Sequence, residues 1–322
     1  AFIYGIEGIS TMTGNFISFG KNGEASMVGV DSTIFTDGDV FSFTLTWWDT
    51  KLQAVNEGIE LFLQNHAADY VNETTVNYNV LVALDLMGLT NEYITQAEVE
   101  ALVDTTSLTS NTDYFKAILS LQVVGSDVSQ LYTDFATTAS IGAYGGTAYG
   151  LLALNSATHS ADYTSFESSA LTSYDTESPY DLGLDSGGIT LVALSEYVGD
   201  TEVDAMITEF ATWISTDQLL SGGIMTRDLG WGASENSASI SQVILGLVAN
   251  GIDPCGVDYT QGDNNLVARL LEFQTDTGSF DWVLTDEINE DLAFSTPQAF
   301  LALVVYQQYV NTMSAVNPYS FK

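Results

Sequence analysis

The chain has 322 residues, enough for one large domain or two of ordinary size, and 42 Asp and Glu stand against 6 Lys and Arg, a formal net charge of −36. So few basic residues cannot neutralise phosphates, which excludes nucleic acid and anionic membrane surfaces as partners. No apolar run reaches the roughly 18 residues that span a bilayer, so no membrane insertion is expected within this chain. Charged residues make up only 15% of the chain, below the roughly 25% of ordinary domains, so the imbalance comes from missing base and not from surplus acid. Base depletion with abundant Ser, Thr, Asn and Gly suits an extracellular or cell-surface protein, and Ala at position 1 fits removal of a leader. Cys255 is the one cysteine, so the chain forms no internal disulfide.

Four strand candidates come first, at 2–6, 15–19, 25–30 and 40–48, with Asn22-Gly23 and Asp37-Gly38 as hairpin-type turns. In the last of them Phe41, Phe43, Leu45 and Trp47 alternate with Ser42, Thr44 and Thr46, the period of a half-buried strand. One face of that strand needs a cover, and few residues precede it to build one. The domain at 1–49 therefore reads as a small, incomplete antiparallel β domain with an open edge, and open edges pair with other chains. Phe2, Ile3, Tyr4 and Ile6 of the first strand are the candidate assembly edge.

From residue 50 to 322 the sequence becomes a repeat. LVALDLMGL (81–89), AILSLQVVG (117–125), GLLALNS (150–156), TLVALSEY (190–197), ISQVILGLVANGI (240–252) and FLALVVY (300–306) are variants of one segment. Each is apolar nearly all round, the mark of a helix buried on most sides. Amphipathic helices alternate with them at 51–70, 95–103, 127–137, 161–171, 201–215 and 264–274; in the first, Val55, Ile59 and Phe62 fall at i, i+4 and i+7. An inner ring of apolar helices inside an outer ring of amphipathic ones satisfies both patterns. The expected fold is mainly α, a twelve-helix α6/α6 toroid.

The segments NSASISQVILGLVANGIDPCG (236–256), NNLVARLLEFQTDTGSFDW (264–282) and STPQAFLALVVY (295–306) resemble the repeats of prenyltransferase and squalene-cyclase toroids. More narrowly, they are similar to toroids of bacterial surface proteins and of the transcobalamin and intrinsic-factor group. NFISFGKNGEASMVGVDSTIFTDGDVFSFTL (15–45) resembles the closing part of the transcobalamin-type β domain. Here it precedes the toroid, whereas in transcobalamins it follows, and the opening half of that domain is absent. The resemblance implies a mouth that holds cobalamin beneath the β domain.

The usual chemistry of toroid enzymes is missing from the text. No DxDD acid run occurs; the nearest strings, DLGLD (181–185) and NED (289–291), do not fit. Asp253-Pro254-Cys255 has part of a zinc spacing, but His66 and His159 lie upstream, and the tripeptide reads better as a loop after a helix. There is no GxSxG nucleophile elbow, and 42 acids make any nominated carboxylate pair uninformative. The chain is accordingly expected not to be an enzyme.

Two kinds of site remain. Aromatics and amides at the starts of the inner helices, Tyr78, Tyr114, Tyr149, Trp231, Asn236 and Gln298, would ring the toroid mouth, where free N–H groups collect. In the acidic loop at 285–292, Asp286, Glu287, Glu290 and Asp291 are candidate calcium ligands, although no EF-hand pattern is present. The leading functional expectation is a non-catalytic extracellular or cell-surface structural subunit, assembling into filaments with copies of itself or with another surface protein through its β domain. The alternatives are a binder of cobalamin or another small ligand at the mouth and, third, a toroid enzyme acting on a polysaccharide.

Overall fold

The computed structural model describes residues 5–6, 9–10, 15–25, 33–34, 36–47, 50–175, 179–228, 230 and 232–322. The chain divides into two units, Ala1–Glu57 and Gly58–Lys322.

In the first unit β1 (Gly5–Ile6) pairs antiparallel with β2 (Ile9–Ser10). A three-stranded antiparallel sheet follows in the order β4-β3-β5, from β3 (Asn15–Lys21), β4 (Glu24–Ala25) and β5 (Phe41–Trp47). Asn22 and Gly23, at φ 56° and 84°, turn β3 into β4 as an Asn-Gly pair does in a tight hairpin. The register pairs Ile17 with Leu45 and Phe19 with Phe43, so the alternating apolar residues share one face. The Phe19 ring lies 5.5 Å from Phe43 and 5.8 Å from Phe41. Lys21 closes the sheet's end through an ion pair of 2.7 Å with Asp39, whose carboxyl it holds well below the ordinary range. Of the expected strands, 26–30 and the edge residues Phe2, Ile3 and Tyr4 lie outside the described residues; Ile6 pairs with Ile9 in the first hairpin.

Helix α1 (Thr50–Asn65) runs across the division of the chain, and the short α2 (Ala67–Tyr70) and the ribbon β6 (Val71–Asn72) with β7 (Thr75–Val76) follow. Then come α3 (Tyr78–Leu86), α4 (Thr90–Tyr93), α5 (Gln96–Leu102), α6 (Asn111–Val123), α7 (Ser129–Thr138), α8 (Gly146–Asn155) and α9 (Thr164–Asp175). The chain continues with α10 (Pro179–Leu194), α11 (Thr201–Asp217), α12 (Ser237–Ala249), the ribbon β8 (Thr260–Gln261) with β9 (Asn264–Asn265), α13 (Leu266–Glu272) and α14 (Ser295–Thr312).

The six apolar segments are α3, α6, α8, α10, α12 and α14. Each touches the next, and α14 returns to α3, so they close a ring. Helix α12 is buried along almost its whole length because it is apolar or small on every side. Glycines let it approach α10 at backbone distance: a Cβ on Gly188 would lie 2.5 Å from the Gln242 carbonyl oxygen. Outer helices bury one stripe only. In α11 Val203, Met206, Ile207, Phe210, Ala211, Trp213 and Ile214 face inward while Glu202 and Glu209 stay exposed. Phe62 of α1 stacks on Phe300 of α14 with centroids 4.0 Å apart. Gln274, from the family-like stretch LLEFQTDTGSF, donates to the Gly58 and Gly278 carbonyls at 2.9 and 3.2 Å and ties that corner to α1.

Helix starts are secured by side chains. Thr95 with Glu98 and Ser110 with Asp113 form capping boxes, while Asn77, Asp200, Asn236 and Asn265 cap α3, α11, α12 and α13. This is the α/α toroid that the repeat pattern predicts. No helix among the described residues is long and apolar enough to cross a membrane.

Candidate functional site

The starts of the six inner helices converge on one mouth. Its main cleft, about 660 Å³, is bounded by Tyr78 and Asn79 of α3, Lys116 of α6, Tyr149 of α8, Phe294 and Gln298 at α14, and the loop residue Tyr144. Tyr144, Tyr149, Phe294 and Gln298 also wall an adjoining chamber of about 230 Å³, which contains Asp185, Ser186, Ile189 and Gln242. A third lobe of about 460 Å³ shares Tyr144, Asp185 and Ser186 and reaches Arg227, Asn236 and Trp282.

Helix α10 places Asp185. Gly183 sits at φ 77° and ψ 177° inside it, a conformation suited to glycine, and breaks the helix so that its inner segment starts afresh at Leu184. Asp185 thus occupies the first turn of an inner helix. Asp185 is exposed to the chamber, yet protein crowds around its carboxyl, and this partial desolvation raises its pKa above that of an ordinary carboxyl. The hydrogen bond from Ser239 Oγ, 2.9 Å, and one from its own backbone pull the other way, and desolvation outweighs both.

The floor beside it is aromatic. Phe115 contacts Tyr78, Tyr149 and Tyr319 at centroid distances of 5.5, 4.9 and 5.1 Å. Burial pushes the phenols of Tyr78, Tyr149 and Tyr319 upward, so they remain neutral. Tyr144 is held at φ 52°, a backbone region that costs a non-glycine residue on the order of 1–2 kcal/mol, with its ring exposed at the mouth. Asn79 Oδ1 and Gln242 Oε1 are buried in the cavity wall with no hydrogen-bond partner, and each residue is at most 5% exposed. An unsatisfied buried acceptor costs about 1–3 kcal/mol, a cost the wall carries at both positions.

Of the six expected mouth residues, Tyr78, Tyr149 and Gln298 come together here. Tyr114 does not: its ring stacks on Phe135 of α7 at 4.5 Å, on the outer side of α6. Asn236 reaches the third lobe, but its side chain is committed to capping, accepting from Ser239 N at 2.8 Å. Trp231 lies outside the described residues. Asp185, Gln242, Lys116, Tyr144 and Phe294 were not anticipated. For Asp185 the signal was its place in DLGLD, five residues ahead of the apolar run TLVALSEY.

The acidic loop does not gather into a cation cage. Asp291 accepts from Ala293 N, Phe294 N, Ser295 N and Ser295 Oγ at 2.8–3.1 Å, securing the start of α14. Glu290 accepts from Ser279 Oγ at 2.5 Å and Thr277 Oγ1 at 3.2 Å, while Asp286 and Glu287 are exposed. Among the described residues no three His, Cys, Asp or Glu side chains are grouped to hold a metal ion. Asp291→Ala should therefore destabilise the toroid by about 1–2 kcal/mol, as loss of a helix cap does, in urea melts with or without calcium. A midpoint that calcium raises in the wild type and not in the variant would contradict the capping role.

Cys255 Sγ contacts Asn265 Oδ1 at 3.1 Å, away from any zinc-like set. His159 stacks on Tyr132 at 3.9 Å beside residues that follow the inner helices, at the opposite end from the mouth.

No protein-family model and no curated protein matches the sequence. Among solved structures the chain is similar to MstE, a type II terpene cyclase from Scytonema, determined with its substrate geranylgeranyl dihydroxybenzoate. Identity is 12%, coverage 82% of this chain and 98% of that one, and the TM-score 0.52. The same cyclase without ligand gives a TM-score of 0.49 at 13% identity, covering 82% and 98%. The ent-copalyl diphosphate synthase from Streptomyces platensis gives 0.40 at 16%, covering 73% and 50%. Likeness at this level shows the fold alone, an α/α toroid.

Two sequence expectations are corrected at this point. The solved neighbour that shares the toroid is a catalytic one, which overturns the expectation of a non-catalytic structural surface subunit, with its filament and self-assembly corollaries. That expectation rests on the open edge of an incomplete β domain, which carries no information about chemistry at the mouth. The toroid part of the resemblance is supported by the solved cyclase, whereas the transcobalamin-type β domain is not.

Proposed function

We propose that the chain is an acid-initiated cyclase or isomerase of an unsaturated hydrocarbon, with Asp185 as the proton donor. The observation that carries this reading is a single carboxyl, set by the helix break at Gly183 in a chamber lined by Tyr144, Tyr149 and Phe294 together with Ser186, Gln242 and Gln298, with its pKa raised by desolvation. Proton transfer from Asp185 to a carbon–carbon double bond leaves a carbocation and an aspartate. The faces of Tyr78, Tyr144, Tyr149 and Phe294 are placed to stabilise such a cation, and neutral phenols do not trap it as phenolates would. Loss of a proton from the cation to water completes an isomerisation or cyclisation, and solvent returns a proton to Asp185. Asp185 is the one carboxylate among the described residues lining the chamber, so two-carboxylate glycoside hydrolysis lacks its second group.

The solved cyclase bound to a geranylgeranyl compound supports the choice of a polyene. This chain lacks a DxDD run; Asp185 stands alone with Ser239 as its hydrogen-bond donor. Incubation with linear polyprenyl alcohols and prenylated phenols in D2O should give isomers carrying one deuterium on carbon, read by mass spectrometry. Unchanged, unlabelled recovery across the panel would refute the reading.

The pH dependence follows from the direction of the shift. Asp185 donates only when protonated, and its pKa is raised, so single-turnover rates should fall with rising pH above the ordinary carboxylate range. A descending limb at the position of an exposed carboxyl would assign the acid elsewhere.

A further inference from the structure

The basic residues are few and nearly all engaged. Lys21 pairs with Asp39 at 2.7 Å, Arg269 with Glu235 at 2.6 Å and with Glu272, and Lys322 with Glu196 at 2.6 Å. Lys51 and Arg227 also have partners. Lys116 makes no ion pair among the described residues, in a chain where 42 acids face 6 bases. Its ammonium stands 5.8 Å from the Tyr78 ring centroid and borders the main cleft.

The two acids on the same cleft are occupied elsewhere. Asp113 accepts from Ser110 N at 3.0 Å and Thr109 N at 3.2 Å, and Asp104 from Thr106 N at 2.8 Å and Ser107 Oγ at 2.7 Å. This end of the mouth thus offers an exposed cation that no carboxylate among the described residues pairs with, while the chamber at Asp185 mixes Tyr144, Tyr149, Phe294 and Ile189 with Ser186, Gln242 and Gln298.

We propose that Lys116 binds a singly charged carboxylate head group of the substrate, while the unsaturated tail runs to Asp185. This rests on the reading of Asp185 as an acid acting on a polyene. A diphosphate does not fit, because one ammonium flanked by Asp104 and Asp113 leaves most of its charge uncompensated.

The test is equilibrium binding at neutral pH of geranylgeranoic acid, geranylgeraniol and geranylgeranyl diphosphate to the whole chain. The wild type should prefer the acid over the alcohol by roughly tenfold to a hundredfold, the scale of a hydrogen bond to a charged group, and over the diphosphate. Lys116→Met should erase the preference and Lys116→Arg largely keep it, with circular dichroism showing both folded. Asp185→Asn should retain the preference in full. Loss of turnover in that variant is a separate readout, so failure of the acid and failure of the head-group site are distinguishable. Equal affinity for acid and alcohol, tighter diphosphate binding, a preference that survives Lys116→Met, or binding of none of the three would overturn the proposal.

Discussion

Asp185→Asn is expected to lower turnover of a polyene about 10²–10⁴-fold, the contribution usual for a positioned general acid, while the helical ring stays intact. Asn matches Asp in shape and can still meet Ser239, but has no proton to give. The same variant should change stability in a pH-dependent way. Desolvation by the surrounding protein raises the folded-state pKa of Asp185 above its unfolded value, so its contribution is full below the unfolded pKa and is lost as pH rises through the folded one. The Asn variant has no such loss. Its melting temperature should therefore approach that of the wild type in acid and exceed it in mildly alkaline buffer. Equal turnover, or a variant less stable at alkaline pH than in acid relative to the wild type, would show that Asp185 is an ordinary ionised carboxylate.

Phe62→Ala is expected to be the most damaging single truncation, costing about 3–5 kcal/mol. Phe62 is fully buried and stacks on Phe300 at 4.0 Å, with Tyr70 at 5.8 Å on another side, so removal leaves a void between an outer and an inner helix. The inner helix is part of a closed ring and cannot shift inward to fill it. For a unit this large, the loss corresponds to a melting temperature lower by about 6–20 °C. Glu60→Ala, on the exposed side of the same helix, should stay within about 0.5 kcal/mol of the wild type. Similar losses from both would mean that α1 is not held to the ring by its apolar stripe.

The ring was legible because burial on all sides leaves nothing but apolar and small residues, as in ISQVILGLVANGI, whereas outer helices keep the i, i+4, i+7 stripe seen at Val55, Ile59 and Phe62. The ribbons β6–β7 and β8–β9 went unread because two-residue strands are set by local turns such as Asn72 Oδ1 accepting from Thr74 N, with no periodicity to detect. At the mouth a single residue of helical phase decides the outcome. Phe115 faces inward and Tyr114, about 100° away, faces α7. Asp185 was hidden for another reason. In a chain with 42 acids nothing local marks one of them, and its distinction lies in the helix break at Gly183 and in the protein packed around it.

The raised pKa of Asp185 in the mouth is the central claim, and difference infrared spectroscopy tests it without any substrate. Wild type minus Asp185→Asn should show one protonated carboxyl stretch that persists to pH values at which exposed carboxyls are fully ionised. A difference spectrum in which that band vanishes together with the bulk carboxyls would contradict the account.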